Sequence, residues 1–169
     1  VGATDCSAGW WTTFSNLDAI SGNFTNFGYE LINGNTGVGS NWNNWVIVCT
    51  NGKAFGDDGY AEYFVLRSDA YGWGPEGGNY NGANITHGFN WDTFVKDMHN
   101  ATVRIYLTRN SSRLALLAKV TKEDGTVIPD YTFFFEGITS NEVGFFFVLD
   151  GNYLDIRKVG YFPYVGSAK

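Results

Sequence analysis

Residues 101–109, ATVRIYLTR, alternate without a break, with Val103, Ile105 and Leu107 on one side and Arg104, Tyr106 and Thr108 on the other. A two-residue period is the repeat of a half-buried strand, and a helix would scatter these apolar side chains around its circumference. Turn formers follow at Asn110, Ser111 and Ser112, and RLALLAKVTK then predicts the second arm of an antiparallel hairpin. The same rhythm runs through much of the chain. YAEYFVLRS reads as a strand with Phe64 and Leu66 on one face and Tyr63, Val65 and Arg67 on the other. GYELIN and NWVIVCTN are further strands, separated by the Gly- and Asn-rich residues 33–44. After the EDGT turn at 123–126 come IPDYTFFFEG, NEVGFFFVLDG and NYLDIRKVGYF, the last two joined by Asp150-Gly151-Asn152. The Phe runs at 133–135 and 145–147 do not alternate, which predicts strands covered on both faces. NWDTFVKDMHN is the exception: behind Asn90 as N-cap, Trp91, Phe94, Val95 and Met98 recur at helical spacing and predict one short helical turn.

Composition supports the same class. Aromatic residues make up 18% of the chain, from 14 Phe, 10 Tyr and 6 Trp, and stand beside 22 Gly. Rings favour strands and glycines favour turns, so a helical bundle and a coiled coil are excluded. A hydrophobic fraction of 44% excludes intrinsic disorder. Seven or more strands at a spacing of about ten residues indicate an all-β, two-sheet antiparallel β-sandwich of jelly-roll kind with one short helical turn. The 169 residues carry no internal repeat or linker-like stretch, which predicts a single domain over residues 1–169.

Charge and motifs then remove function classes. A net charge of −6, with 11 Lys and Arg scattered along the chain, argues against nucleic acid and anionic membranes. No apolar run approaches the roughly 20 residues of a spanning helix, so no membrane insertion is expected. The start VGATDCSAGWW has no basic or apolar leader features, which reads as a processed export signal or an excised module. Two histidines, His87 and His99, and two cysteines in no C-x-x-C arrangement make a zinc site improbable. Cys6 and Cys49 are either two buried thiols or a disulfide, which by loop closure would contribute about 4 kcal/mol. Asn23, Asn84, Asn100 and Asn110 head N-x-S/T triplets, which in an Asn-rich chain carry no information on origin.

Enzyme signatures are largely missing. There is no G-x-S-x-G elbow. GWGPEG at 72–77 satisfies the dinucleotide pattern, but Pro75 disturbs a helix start, Glu76 repels pyrophosphate and NYNGAN continues as a loop. A retaining glycosidase needs two carboxylates about 5 Å apart across the scissile bond, and no Glu here is followed two residues later by Asp. Asp57, Asp58, Asp150 and Asp155 fall in turns and read as solvated caps or calcium ligands.

What remains is a concentration of rings and amides among glycines. SAGWWTTF holds Trp10 and Trp11, SNWNNWV holds Trp42 and Trp45, and RSDAYGWGPEGGNYNGAN holds Tyr71, Trp73 and Tyr80. Sugars offer apolar C–H faces to rings and hydroxyls to Asn, Asp and Arg, so this is the composition of a site for neutral glycans. Trp45 and Trp91 are assigned to packing, and strand geometry sends one of Trp10 and Trp11 inward. The candidate carbohydrate-binding residues are Trp73, Tyr71, Arg67, Asp69, Tyr80, Trp11, Trp42 and Asn44.

The run from GWWTTFS through NWNNWVIVCTN, EYFVLRSDAYGWG, GNYNGAN and WDTF to GNYLDI resembles the exported, noncatalytic carbohydrate-binding modules of gut Bacteroidetes. That resemblance implies a jelly-roll sandwich, a secreted or cell-surface location, and attachment to a larger enzyme or surface glycan-binding protein. It further implies a plant or algal polysaccharide as ligand, β-glucan before xylan, and allows one structural calcium ion. Two other readings stand beside it: a sandwich-fold glycoside hydrolase or lyase with atypical acids, and a structural or adhesive surface domain.

Overall fold

The computed structural model describes residues 2–3, 12–15, 19–35, 44–54, 56–67, 74–76, 96–150 and 152–161. Over these the chain is almost entirely strand: β1 (Gly2–Ala3), β2 (Thr12–Ser15), β3 (Ile20–Ser21), β4 (Phe24–Asn35), β5 (Asn44–Thr50), β6 (Glu62–Arg67), β7 (Gly74–Glu76), β8 (Ala101–Asn110), β9 (Arg113–Thr121), β10 (Val127–Glu136), β11 (Glu142–Asp150) and β12 (Asn152–Tyr161). A helical turn occupies residues 96–98. The predicted helix agrees with this at its C-terminal end, and its residues 91–95 lie outside the described residues. Among the described residues, no helix is long and apolar enough to cross a membrane.

Two antiparallel sheets pack face to face. The first runs in the order β1-β12-β4-β8-β9-β10, the second in the order β2-β11-β5-β6-β7, with β3 also pairing β11. The fold is a β-sandwich, and its winding is that of a jelly roll. β4 pairs with β12 in the first sheet and β5 pairs with β11 in the second, so one two-stranded ribbon passes across both layers. Asp150 ends β11 opposite Asn44, and Asn152 begins β12 opposite Asn35, with only Gly151 between them. β12 therefore does not fold back beside β11; Asp150 and Asn152 belong to different sheets.

Alternation places the core where the periodicity predicts. Val103, Ile105 and Leu107 of β8 are fully buried, as are Leu114 and Ala118 of β9. Tyr29 and Leu31 of β4 join them from the first sheet, while Ile47, Cys49, Phe64, Val143, Phe145 and Phe147 face them from the second. Rings interlock across the gap. Phe27 lies edge-on to Tyr29 at 5.4 Å and stacks on Phe145 at 6.4 Å, and Tyr29 meets Phe147 edge-on at 5.2 Å. Toward the β6 and β10 side, Phe64 contacts Phe133 at 5.0 Å and Phe135 at 5.8 Å. Edge-on and offset pairs such as these add about 0.5–1.5 kcal/mol each beyond the area they bury.

The two Phe runs are covered on both faces, by different means. In β11, Phe145 and Phe147 enter the main core, while Phe146 points outward and packs with Val48, Tyr60 and Val65 in a small second cluster. In β10, Phe133 and Phe135 are core residues, and the outward ring of Phe134 is capped by the Arg113 guanidinium at 4.0 Å. Tyr106 departs from the expectation for its side of β8. It lies on the outer face opposite Gly28, yet is only 2% exposed.

Cys49 is a free thiol, fully buried in the core, with its sulfur 3.9 Å from the Thr50 carbonyl oxygen. The buried-thiol reading holds for this residue, and Cys6 lies outside the described residues. Burial pushes the Cys49 thiol well above its ordinary pKa, only partly opposed by the nearby Arg109 charge. In a Cys6→Ser protein, a thiol reagent should label nothing under native conditions and one group per chain in denaturant. Fast native labelling would contradict the buried placement. Removing the seam is the stronger test of packing: Phe147→Ala should lower unfolding free energy by about 3–5 kcal/mol, read from chemical denaturation.

Candidate functional site

The strands of both sheets run between two ends of the sandwich, where the connections lie. At one end the connections are tied down. Arg109 has the same parity as Val103, Ile105 and Leu107, so its side chain turns inward and is 8% exposed at the core's edge. Its guanidinium donates to three backbone carbonyls, of Ser111 (2.9 Å), Asn141 (2.9 Å) and Ser140 (2.6 Å). That single side chain joins the β8–β9 turn to the segment entering β11. Gly137 and Ile138 donate their backbone N–H groups to the Ser112 carbonyl, and Gly22 donates to that of Asn141. The Asn23 side chain accepts from the Ser111 N–H at 2.7 Å, which holds Ser111 in the left-handed region at φ 59°.

Tyr63 closes the same end from the second sheet. Its hydroxyl oxygen accepts the N–H groups of Ser140 (2.8 Å) and Thr139 (3.2 Å), and its O–H donates to the Ser140 hydroxyl at 2.7 Å. Burial pushes the Tyr63 phenol up, but the hydrogen bonds from Ser140 and Thr139 together outweigh it and hold its pKa below 10.0. Gly52 is also fixed here. With φ at +88°, any Cβ would lie 2.8 Å from the Glu142 Cβ, so the 51–61 turn presses against the start of β11 in a way that only glycine permits.

The opposite end gathers the strand termini that flank the predicted binding residues. Thr12 begins β2 opposite Leu149, which in turn faces Trp45. Asn44 begins β5 opposite Asp150. Arg67 ends β6 opposite Val46, and Gly74 begins β7 opposite Arg67. Ala3, Asn35 and Asn152 meet at the same level of the first sheet. Of the eight candidates, Arg67 and Asn44 are thus placed at this end by backbone register. Trp11, Trp42, Asp69, Tyr71, Trp73 and Tyr80 lie outside the described residues. Their described chain neighbours are informative nonetheless: Trp11 immediately precedes Thr12, Trp42 stands two residues before Asn44, and Asp69, Tyr71 and Trp73 fall between the paired residues Arg67 and Gly74.

A set of polar contacts anchors this end as well, through the first sheet. The buried Asn33 side chain donates to the Met98 carbonyl at 2.8 Å, fixing the helical turn on β4. Asp97, 8% exposed at its side chain, pairs with Lys122 at 3.0 Å, and Asn100 donates to Glu123 at 2.9 Å. These bonds hold residues 96–100 against the β9–β10 turn, so the chain arriving from residue 95 meets a fixed support. Sequence reading did not single out Arg109, Tyr63, Asn33 or Asp97. The inward parity of Arg109 was available in the β8 alternation, whereas the Asn33–Met98 and Asp97–Lys122 contacts join distant positions with no local signal.

Among the described residues, no group of three or more His, Cys, Asp or Glu side chains is placed to hold a metal ion. Asp57 and Asp58 are exposed in the turn at 56–59, and Asp155 is engaged by Arg157 at 2.7 Å. No protein-family model matches the chain, and no curated protein is significantly similar to it.

Tyr63→Phe removes the acceptor of two backbone N–H groups and should cost about 1–2 kcal/mol of stability near neutral pH. Because the folded-state pKa of Tyr63 is depressed, its ionisation adds stability that is complete above the unfolded value of 10.0 and disappears as pH falls through the folded value. The gap between wild type and Tyr63→Phe should therefore widen as pH is raised toward 10.0, in paired denaturant titrations. A gap that narrows over that range would contradict the hydrogen-bond assignment.

Proposed function

We propose that the protein is a noncatalytic carbohydrate-binding module that holds a neutral plant or algal polysaccharide, β-glucan in preference to xylan, at the end of the sandwich where β2, β5, β6 and β7 meet their connections. The observation that carries this reading is the convergence of Thr12, Asn44, Arg67 and Gly74 on one end of the second sheet. The segments rich in Trp, Tyr, Gly and Asn adjoin those four positions. Functional groups on connections held by a rigid scaffold are a recurrent way to build a binding surface, and the opposite end has its backbone committed to internal hydrogen bonds.

The chemistry of the ligand follows from the residues available. Exposed indole and phenol rings stack on the C–H faces of pyranose units, and amide and charged side chains bond equatorial hydroxyls. An overall charge of −6 disfavours polyuronates and sulfated chains and leaves neutral glycans. Each ring contributes on the order of 0.5–3 kcal/mol and an open surface keeps its waters, so affinity is modest and grows with the number of sugar units engaged. The resemblance to exported modules of gut Bacteroidetes supports a secreted or cell-surface location and a place within a larger glycan-handling protein.

Affinity electrophoresis against laminarin, mixed-linkage glucan, xyloglucan, xylan and mannan tests the ligand class, with retardation expected on at least one β-glucan. On that glycan, Trp73→Ala should weaken binding at least tenfold, equivalent to about 1.4 kcal/mol. Asp58→Asn, in the exposed turn at the tied end, should leave retardation unchanged. Equal retention of wild type and Trp73→Ala would move the site elsewhere. Release of reducing ends from any of these glycans by the purified protein would replace the noncatalytic reading with that of a hydrolase, and absence of binding across the panel would favour a structural or adhesive role.

A further inference from the structure

Asn-Gly pairs occur in the sequence at 33–34, 51–52 and 81–82, and the last lies outside the described residues. Asparagine before glycine is the pair most open to attack by the next backbone nitrogen on the side-chain amide carbon, because no Cβ stands in the way. The other two pairs have opposite surroundings. Asn33 is 1% exposed inside β4, paired with Leu154 on one side and Ala101 on the other, so its backbone is held extended and base cannot reach the Gly34 nitrogen. Asn51 stands half-buried just past the end of β5, and the Lys53 N–H donates to its Oδ1 at 3.2 Å, where it draws charge from the amide carbon. Gly52 cannot be exchanged for a less permissive neighbour, since a φ of +88° and the contact with Glu142 admit only glycine. Hydrogen bonds restrain this pair: the Gly52 N–H donates to the Oγ1 of buried Thr50 at 3.1 Å, and the Asn51 Nδ2 donates to the Gly59 carbonyl at 2.7 Å.

We propose that Asn51 is a site of spontaneous deamidation in the folded protein, gated by the bond between the Gly52 N–H and Thr50. Base removes the Gly52 N–H proton, the nitrogen bonds to the Asn51 side-chain carbon, and the Cγ–Nδ2 bond breaks, releasing ammonia and leaving a five-membered succinimide. Water then opens either ring carbonyl and gives aspartate or isoaspartate. Both products unfasten the 51–61 turn from the start of β11. An oxygen replaces the Nδ2 donor beside the Gly59 carbonyl oxygen, and isoaspartate adds a backbone methylene where Gly52 already lies against Glu142.

Peptide mapping of the folded full chain, aged in warm, mildly alkaline buffer, should show amide-to-acid conversion at Asn51 and none at Asn33. Thr50→Ala, which removes the acceptor, should raise the Asn51 rate about fivefold, the factor that accompanies loss of one net hydrogen bond, whereas Thr50→Ser should keep the wild-type rate. Asn51→Asp should reproduce the lower denaturant midpoint of the aged protein. Equal Asn51 rates in wild type and Thr50→Ala overturn the proposal, as does an Asn51 that stays intact while the denatured chain converts fully. Asn33 accelerating together with Asn51 in Thr50→Ala assigns the effect to global unfolding and overturns it as well.

Discussion

Phe27, Tyr29, Phe145 and Phe147 meet where β4 lies against β11, and they join the two sheets within one continuous buried core. Burying each such ring is worth roughly 1.5–3 kcal/mol relative to leaving it in water. The rings also fix geometry, because edge-on contacts tolerate little sliding. A one-residue slip of β11 would send Phe145 and Phe147 outward and bring Gly144 and Phe146 to the interface. The register of the sandwich is therefore determined by the aromatic seam as much as by the backbone ladders, and the strand termini at both ends inherit their positions from it.

How far this was legible from sequence depended on whether the signal was local. The alternation of residues 101–109 and 113–121 located β8 and β9 and their inward faces, because period-two burial is written in consecutive residues. Non-alternation in the two Phe runs correctly indicated double coverage, but not that Phe134 is capped by a guanidinium while Phe146 joins a second apolar cluster. β4 extends to Asn35, further into the Gly- and Asn-rich stretch than its hydrophobic residues suggest. Pairing with β12 on one side supplies hydrogen bonds to Gly34 and Asn35 that their propensities alone do not favour. The change of sheet between β11 and β12 was unreadable for a similar reason. A short Asp-Gly-Asn connection is normally a hairpin signal, and only the packing of two layers converts it into a bridge between them.

Of the candidate site, the sequence conveyed residue types and the structure adds a common location for the strand ends beside them. Arg67 and Asn44 border aromatic segments in the sequence, and strand register puts both at one end of the second sheet. The far end is held by side-chain bonds to the backbone. There, Arg109 and Tyr63 spend their polar atoms on backbone groups of residues 111 and 139–141. A cation bonded to three carbonyls and a phenol bonded to two N–H groups are complementary solutions to one problem, the closure of turns where no ladder continues.

The ribbon that crosses both sheets also sets the order in which the molecule can be completed. β12 occupies an interior place between β1 and β4, and β11 an interior place between β2 and β5. Both places are filled by strands from the C-terminal part of the chain, more than 90 residues after the partners they join in β4 and β5. A chain emerging from its N-terminus thus holds two sheets with a gap in each until residues beyond 142 arrive, and then closes both layers together. The entropy of that closure falls on one event, which favours slow, cooperative folding over growth strand by strand.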